Sequence, residues 1–108
     1  MSSTLFTPYK LGPVKLRNRT IRSAAFESMG KDFGPTRQLK DYHVAVARGG
    51  VGMTTLAYAA VCRSGLSFNK QLWLRPEIVP GLREITDAVH REGAAAAIQI
   101  GHCGNMTH

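Results

Sequence analysis

The sequence predicts an α/β fold with an all-parallel sheet, on three observations. Apolar segments at residues 20–26, 51–58 and 94–100 read as strands. Two stretches of helical spacing, at residues 37–48 and from about residue 78 to 92, lie between them. The resulting order of strand, helix, strand, helix, strand requires right-handed crossovers that lay the helices over a parallel sheet.

Each element has its own local reason. Two short alternating runs flank Gly12-Pro13, from Tyr9 to Leu11 and from Val14 to Arg17, and predict a small hairpin. The first strand follows at residues 20–26 and ends in the small residues Ser23, Ala24 and Ala25 before Phe26. Thr36 is placed to cap the first helix, with Leu39, Tyr42 and Val46 on one face, and Gly49-Gly50 stops it. Residues 51–58 are β-branched or apolar without clean alternation, as in a strand covered on both faces. A loop is expected over residues 61–77. The second helix tolerates Pro80 in its first turn and aligns Ile78, Leu82, Ile85 and Val89. His90 and Arg91 suit its negative C-terminal end, and Gly93 closes it. His43 and His90 read as helix-surface residues, and Tyr42 and Trp73 as packing.

Composition narrows the function classes. The chain has 108 residues, 44% hydrophobic and 19% charged, which fits one globular unit, residues 1–108 forming a single partial domain. No run of about 18 apolar residues could span a membrane, and the start at Met1 lacks a basic, apolar leader, so a cytoplasmic location is expected. The net charge is +7, but Lys and Arg occur singly throughout rather than clustered with aromatics, which argues against nucleic-acid binding. Cys62 and Cys103 form no Cys-x-x-Cys pair and read as reduced thiols. A metal site from His102, Cys103 and His108 lacks a fourth ligand, and none is expected.

Two parallel architectures fit the element order. A doubly wound dinucleotide-binding sheet needs a glycine-rich turn after its first strand, and residues 25–30 have no such pattern. A (β/α)8 barrel fits better, because its functional groups gather at the C-terminal ends of its strands. There the sequence places Phe26 and Glu27, Ala57 and Tyr58, and Gln99 with His102. Gln99 shares a strand face with Ala95 and Ala97, and if that face is the barrel interior, a buried amide points toward the mouth. An amide both donates and accepts, which suits a ring edge of alternating carbonyl and N–H groups such as the pyrimidine end of a flavin. A Gln satisfied by neighbouring backbone is the other reading, and spacing leaves both open.

Four motifs then resemble the old yellow enzyme family, in its order and across nearly the whole chain. They are Leu5-Phe6-Thr7-Pro8-Tyr9-Lys10-Leu11-Gly12, Leu16-Arg17-Asn18-Arg19-Thr20-Ile21-Arg22-Ser23-Ala24, Ala47-Arg48-Gly49-Gly50-Val51-Gly52 and Gln99-Ile100-Gly101-His102-Cys103-Gly104. The Arg22-Ser23-Ala24 version is similar to the branch named NADH:flavin oxidoreductases or NADH oxidases. The resemblance implies FMN held at the mouth of a TIM barrel, shuttling hydride from NADH or NADPH to an electron-poor alkene or similar small-molecule acceptor. It implies that Ser23, Ala24, Ala25 and Phe26 line the flavin from the first strand, Ala57 or Tyr58 from the second, and Gln99 from the third. Phe26 stands where many relatives carry Thr or Cys, and Asn105 where the family usually has Arg. His102 is expected to play a structural part. The family's substrate-binding His or His/Asn pair, its Tyr and its phosphate-holding residues would lie beyond His108, so no catalytic residue is assigned.

Two expectations follow. The first is an oxidoreductase segment inactive alone, with a small interaction module derived from the barrel as the alternative; a non-flavin lyase or isomerase barrel is disfavoured because Gln99 and Arg22-Ser23-Ala24 match flavin-ring contacts and the strand ends offer no Lys or acid beyond Glu27. The second is self-association through the open edges of a three-stranded piece of barrel.

Overall fold

The computed structural model describes residues 4–25, 27–66 and 70–104. The N-terminal hairpin forms from β1 (Tyr9–Leu11) and β2 (Val14–Leu16), paired antiparallel with Tyr9 opposite Leu16. Gly12 turns it with φ of 57°, a left-handed conformation that glycine adopts without a Cβ penalty.

The parallel sheet is built on β4 (Met53–Ala60). One side of β4 carries two short strands in succession: β3 (Ile21–Arg22) pairs with Met53 and Thr54, and β5 (Leu72–Trp73) pairs with Ala59 and Ala60. The other side is taken by β6 (Ala95–Gly101), parallel along nearly its whole length. Leu56 pairs with Ile98 but Ala59 with Ile100, so β4 carries one extra residue at Ala57-Tyr58, a bulge. The peptide bond between Ala57 and Tyr58 is cis.

The crossover helices are α1 (Arg37–Arg48) and α2 (Val79–Arg91). Thr36 caps α1 as expected, its hydroxyl accepting the Leu39 N–H at 3.1 Å and donating to the Met29 carbonyl. Both helices lie on one face of the sheet, where Leu39, Ala47, Leu56, Ala59, Leu72, Ile85, Val89 and Ala94 form the core. No helix among the described residues is long and apolar enough to cross a membrane.

The expected elements are present, with four differences. The first strand is only Ile21–Arg22, not residues 20–26, because the chain leaves β4 after Arg22; Phe26 lies outside the described residues. The second strand runs to Ala60 rather than ending at residue 58, since β5 gives its last residues a partner. That same strand breaks up the loop expected over residues 61–77, within which Arg63–Gly65 and Pro76–Ile78 are also single 3-10 turns. Finally, the inward face of α1 is Leu39, His43 and Ala47 rather than Leu39, Tyr42 and Val46. His43 is not on the surface but fully buried, and Tyr42 is 37% exposed.

The hairpin is tied beneath the sheet by Arg17. Its guanidinium donates to three backbone carbonyls: Nη2 to Ala47 at 2.5 Å, Nη1 to Glu92 at 2.7 Å and Nε to Val51 at 3.1 Å. Ala47 and Glu92 belong to the C-terminal ends of α1 and α2, whose last carbonyls have no partner within their own helices. One cation therefore meets the negative ends of two helix dipoles.

Candidate functional site

Side chains at the C-terminal ends of the strands are sorted by the sheet's alternation. Ala96 packs against the helix-side core, so Ala95, Ala97 and Gln99 present to the opposite face, as period two requires. Ala95 and Ala97 are half-buried, and Gln99 is exposed rather than buried as expected, because no described residue covers this inner face. Its side-chain amide makes no hydrogen bond among the described residues, and the reading in which neighbouring backbone satisfies it finds no support here.

The bulge determines how the end of β4 is presented. Thr54 and Leu56 point to the helices, and after the extra residue it is Ala59 that returns to the core. Ala57, 8% exposed, and the half-buried Tyr58 occupy the bulge itself. The Tyr58 hydroxyl lies 2.5 Å from Cys103 Sγ, and a Cβ placed on Gly101 would touch the Tyr58 ring at 3.4 Å. Tyr58 thus ties β4 to the loop after β6. His102 supports the same loop: its ring lies against Gly65, Nδ1 accepts the Gly104 N–H at 2.9 Å, and Nε2 is 3.4 Å from Ser64 Oγ.

Between β3 and β5, the flank of β4 has a gap, and two side chains stand in for the missing strand. Arg22 Nη1 donates to the Thr55 carbonyl at 2.8 Å, and Glu27 Oε1 accepts the Ala57 N–H at 2.9 Å. Arg22 Nη1 and Glu27 Oε2 pair at 3.0 Å. Behind them, His43 Nε2 lies 2.6 Å from Glu27 Oε2, and His43 Nδ1 lies 2.7 Å from the Thr54 hydroxyl. Arg22 Nη2 donates to the Tyr42 hydroxyl at 3.1 Å, with the guanidinium 5.0 Å above the Tyr42 ring. The Glu27 carboxylate is 2% exposed, so these partners are what make its burial tolerable.

Sequence reasoning noted Glu27 as the lone acid at the strand ends but missed that His43 joins it. The available signal was the spacing of four between Leu39, His43 and Ala47, which sets a polar ring in the middle of an apolar stripe. Among the described residues, no three His, Cys, Asp or Glu gather as a metal site.

Of the residues assigned from sequence, Ala24 is half-buried and Ser23 and Ala25 are exposed. Their backbone N–H and C=O groups make no backbone hydrogen bonds among the described residues. These residues fit a flat heteroaromatic ring. Small side chains at residues 23–25, 57, 95 and 97 permit close approach, three successive residues offer free backbone groups, and Gln99 offers one donor and one acceptor group.

Comparison with known proteins adds independent findings. A family model described as NADH:flavin oxidoreductase / NADH oxidase matches residues 4–108. The chain is 46% identical over 101 residues to a 4,4'-dithiodibutanoate disulfide reductase of Rhodococcus erythropolis, covering 94% of this chain and 25% of that protein. It is 47% identical over 105 residues to a probable N-methylproline demethylase of Rhizobium meliloti (strain 1021), covering 95% of this chain and 16% of that protein. It thus spans a quarter or less of these two relatives. Among solved structures, morphinone reductase in complex with tetrahydroNAD superposes with a TM-score of 0.86 at 25% identity, over 99% of this chain and 29% of that one. An old yellow enzyme from Pichia sp. AKU4542 gives 0.89 at 19% identity, over 96% of this chain and 28% of that one, and shows the fold alone. The fold is that of the N-terminal part of a (β/α)8 barrel.

Proposed function

This chain belongs to the NADH:flavin oxidoreductase / NADH oxidase family, and on that premise we propose that it forms the flavin-ring wall of an FMN-dependent oxidoreductase. The reaction would carry hydride from NADH or NADPH to an electron-poor alkene or similar acceptor. FMN, when bound, supplies the hydride relay between nicotinamide and acceptor.

The observation that carries this reading is Gln99, whose amide has no hydrogen-bond partner among the described residues and stands on the alanine face of β6 at the mouth of the barrel segment. Gln99 would hold the pyrimidine edge of the ring by donating and accepting at once. Ser23, Ala24 and Ala25 would meet the ring through backbone groups, and Ala57 with Tyr58 through the bulge. Phe26, which the family resemblance sets beside them, would line the ring as well. A cytoplasmic location accords with this chemistry.

The test is a visible absorption spectrum of the purified chain after incubation with FMN and desalting. A retained flavin band near one equivalent is the expected result if these strand ends suffice; a colourless protein would refute binding by this segment alone. The exposed apolar residues of β6, Ile98 at 36% and Ile100 at 58%, favour a second reading in which the open sheet edge pairs with another chain.

A further inference from the structure

We propose that Glu27 is a positioning residue that locks residues 23–25 and 57–58 into one register for the flavin ring, a proposal that rests on the flavin reading above. Three observations lead there.

The first is hydrogen-bond accounting. β3 pairs only with Met53 and Thr54, and β5 only with Ala59 and Ala60, so the Thr55 carbonyl and the Ala57 N–H face a gap where a full strand would serve them. A buried N–H cannot be left without an acceptor at low cost. Glu27 Oε1 provides that acceptor, and the bulge is thereby set by a side chain that comes from beyond β3.

The second is the closure of the network. Glu27 is 2% exposed, His43 fully buried and Arg22 18% exposed, with contacts of 2.6–3.0 Å among them. A buried ion pair adds little net stability over an apolar substitute of equal volume, so its retention asks for a geometric role. Among the described residues, the group outside the network that Glu27 holds is the Ala57 N–H.

The third is location. The segment that delivers Glu27, residues 23–25, and the segment it grips, residues 57–58, are the two that carry the proposed ring contacts from the first and second strands. Residues 23–25 have no ladder bonds of their own among the described residues. Their distance from β4 is therefore set by the two side chains that bracket them, Arg22 before and Glu27 after, and Glu27 is the one that reaches the bulge.

Chain length and charge can be separated by two variants, Glu27→Gln and Glu27→Asp. Gln keeps the reach and the acceptor oxygen and loses the charge; Asp keeps the charge and is one methylene short. Amide exchange at Ala57 and FMN affinity, read from quenching of FMN fluorescence, are measured on both variants and on the wild type. In Glu27→Asp, Ala57 exchange should rise and FMN affinity should fall about tenfold, while Glu27→Gln stays within about threefold of wild type, as expected when one acceptor bond is lost or kept. A merely charge-neutralising role for Glu27 predicts the opposite ranking. Wild-type FMN binding with that opposite ranking, or with no change in either variant, would overturn the proposal alone. A wild-type chain that fails to quench FMN would overturn ring binding by this segment alone, and this proposal with it.

Discussion

Replacing Arg17 by methionine removes the cation while retaining a long apolar stem. Three backbone carbonyls lose the guanidinium as a donor: Val51 just before β4, Glu92 at the end of α2, and Ala47 at the end of α1, which keeps the Gly50 N–H at 3.0 Å. A hydrogen bond from a charged donor is worth about 1.5–3 kcal/mol, and such values do not add when one group serves several partners. Water can reach the two helix ends once the guanidinium is gone, which lowers the sum. Each helix end also loses about 0.3–1 kcal/mol of dipole interaction. The expected cost of Arg17→Met is about 3–5 kcal/mol, a large share of the roughly 5–15 kcal/mol that holds a domain folded. Arg17→Lys, whose point charge reaches one carbonyl at a time, should cost roughly half of that. Urea unfolding followed by far-UV circular dichroism measures both. Arg37→Ala is the control: Arg37 is 90% exposed and lies 3.7 Å from Asp41, so its loss should leave the midpoint unchanged. An Arg17→Met midpoint equal to that of Arg37→Ala would refute the reasoning, because the three carbonyls would then be satisfied without the guanidinium.

Further outcomes follow from other sites. A Cβ at Gly52 would sit 2.5 Å from the Asn18 carbonyl and 2.9 Å from that of Thr20, so Gly52→Ala should destabilise by about 1–3 kcal/mol, read from the same unfolding curves. The Glu84 carboxyl is held below its ordinary range, first by the hydrogen bond from Lys40 and then by its charge. A depressed folded-state value means that this contact contributes above the ordinary carboxyl range and is lost as pH falls through the folded value. In Lys40→Met, Glu84 should titrate at higher pH by carbon-detected NMR. Ile100→Lys should reduce any self-association through β6, seen as a smaller sedimentation coefficient at high protein concentration.

Much of the scaffold was legible because its signals are local. Thr36 and Gly49-Gly50 bracket α1 to the residue, and Gly12-Pro13 marks the hairpin turn. The face of α1 was misread because hydrophobicity ranks Tyr42 above His43. The burial of His43 depends instead on Glu27 and Thr54, which reach it from 16 residues before and 11 residues after in the chain. The short β3 and the extra strand β5 were hidden for a related reason: a strand ends where its partner departs, and propensity carries no record of the partner. Gln99 and the alanine face were readable from period two, while the bulge at Ala57-Tyr58, a matter of register between two strands, was not.

The Arg17 clamp also fixes an order of assembly. Its bond to the Glu92 carbonyl spans 75 residues of sequence, whereas the hairpin that carries it closes across only a few. At about 5–20 residues per second of synthesis, the emerging hairpin would wait roughly 4–15 s before the end of α2 exists to receive it. In that interval the carbonyls of Ala47 and Val51, 30 and 34 residues on, are the partners the cation can reach, and its Nη1 is left for a chaperone or a neighbouring nascent chain to meet first. Of the three bonds that Arg17 makes, the last to form is therefore the one that joins the hairpin to the end of α2.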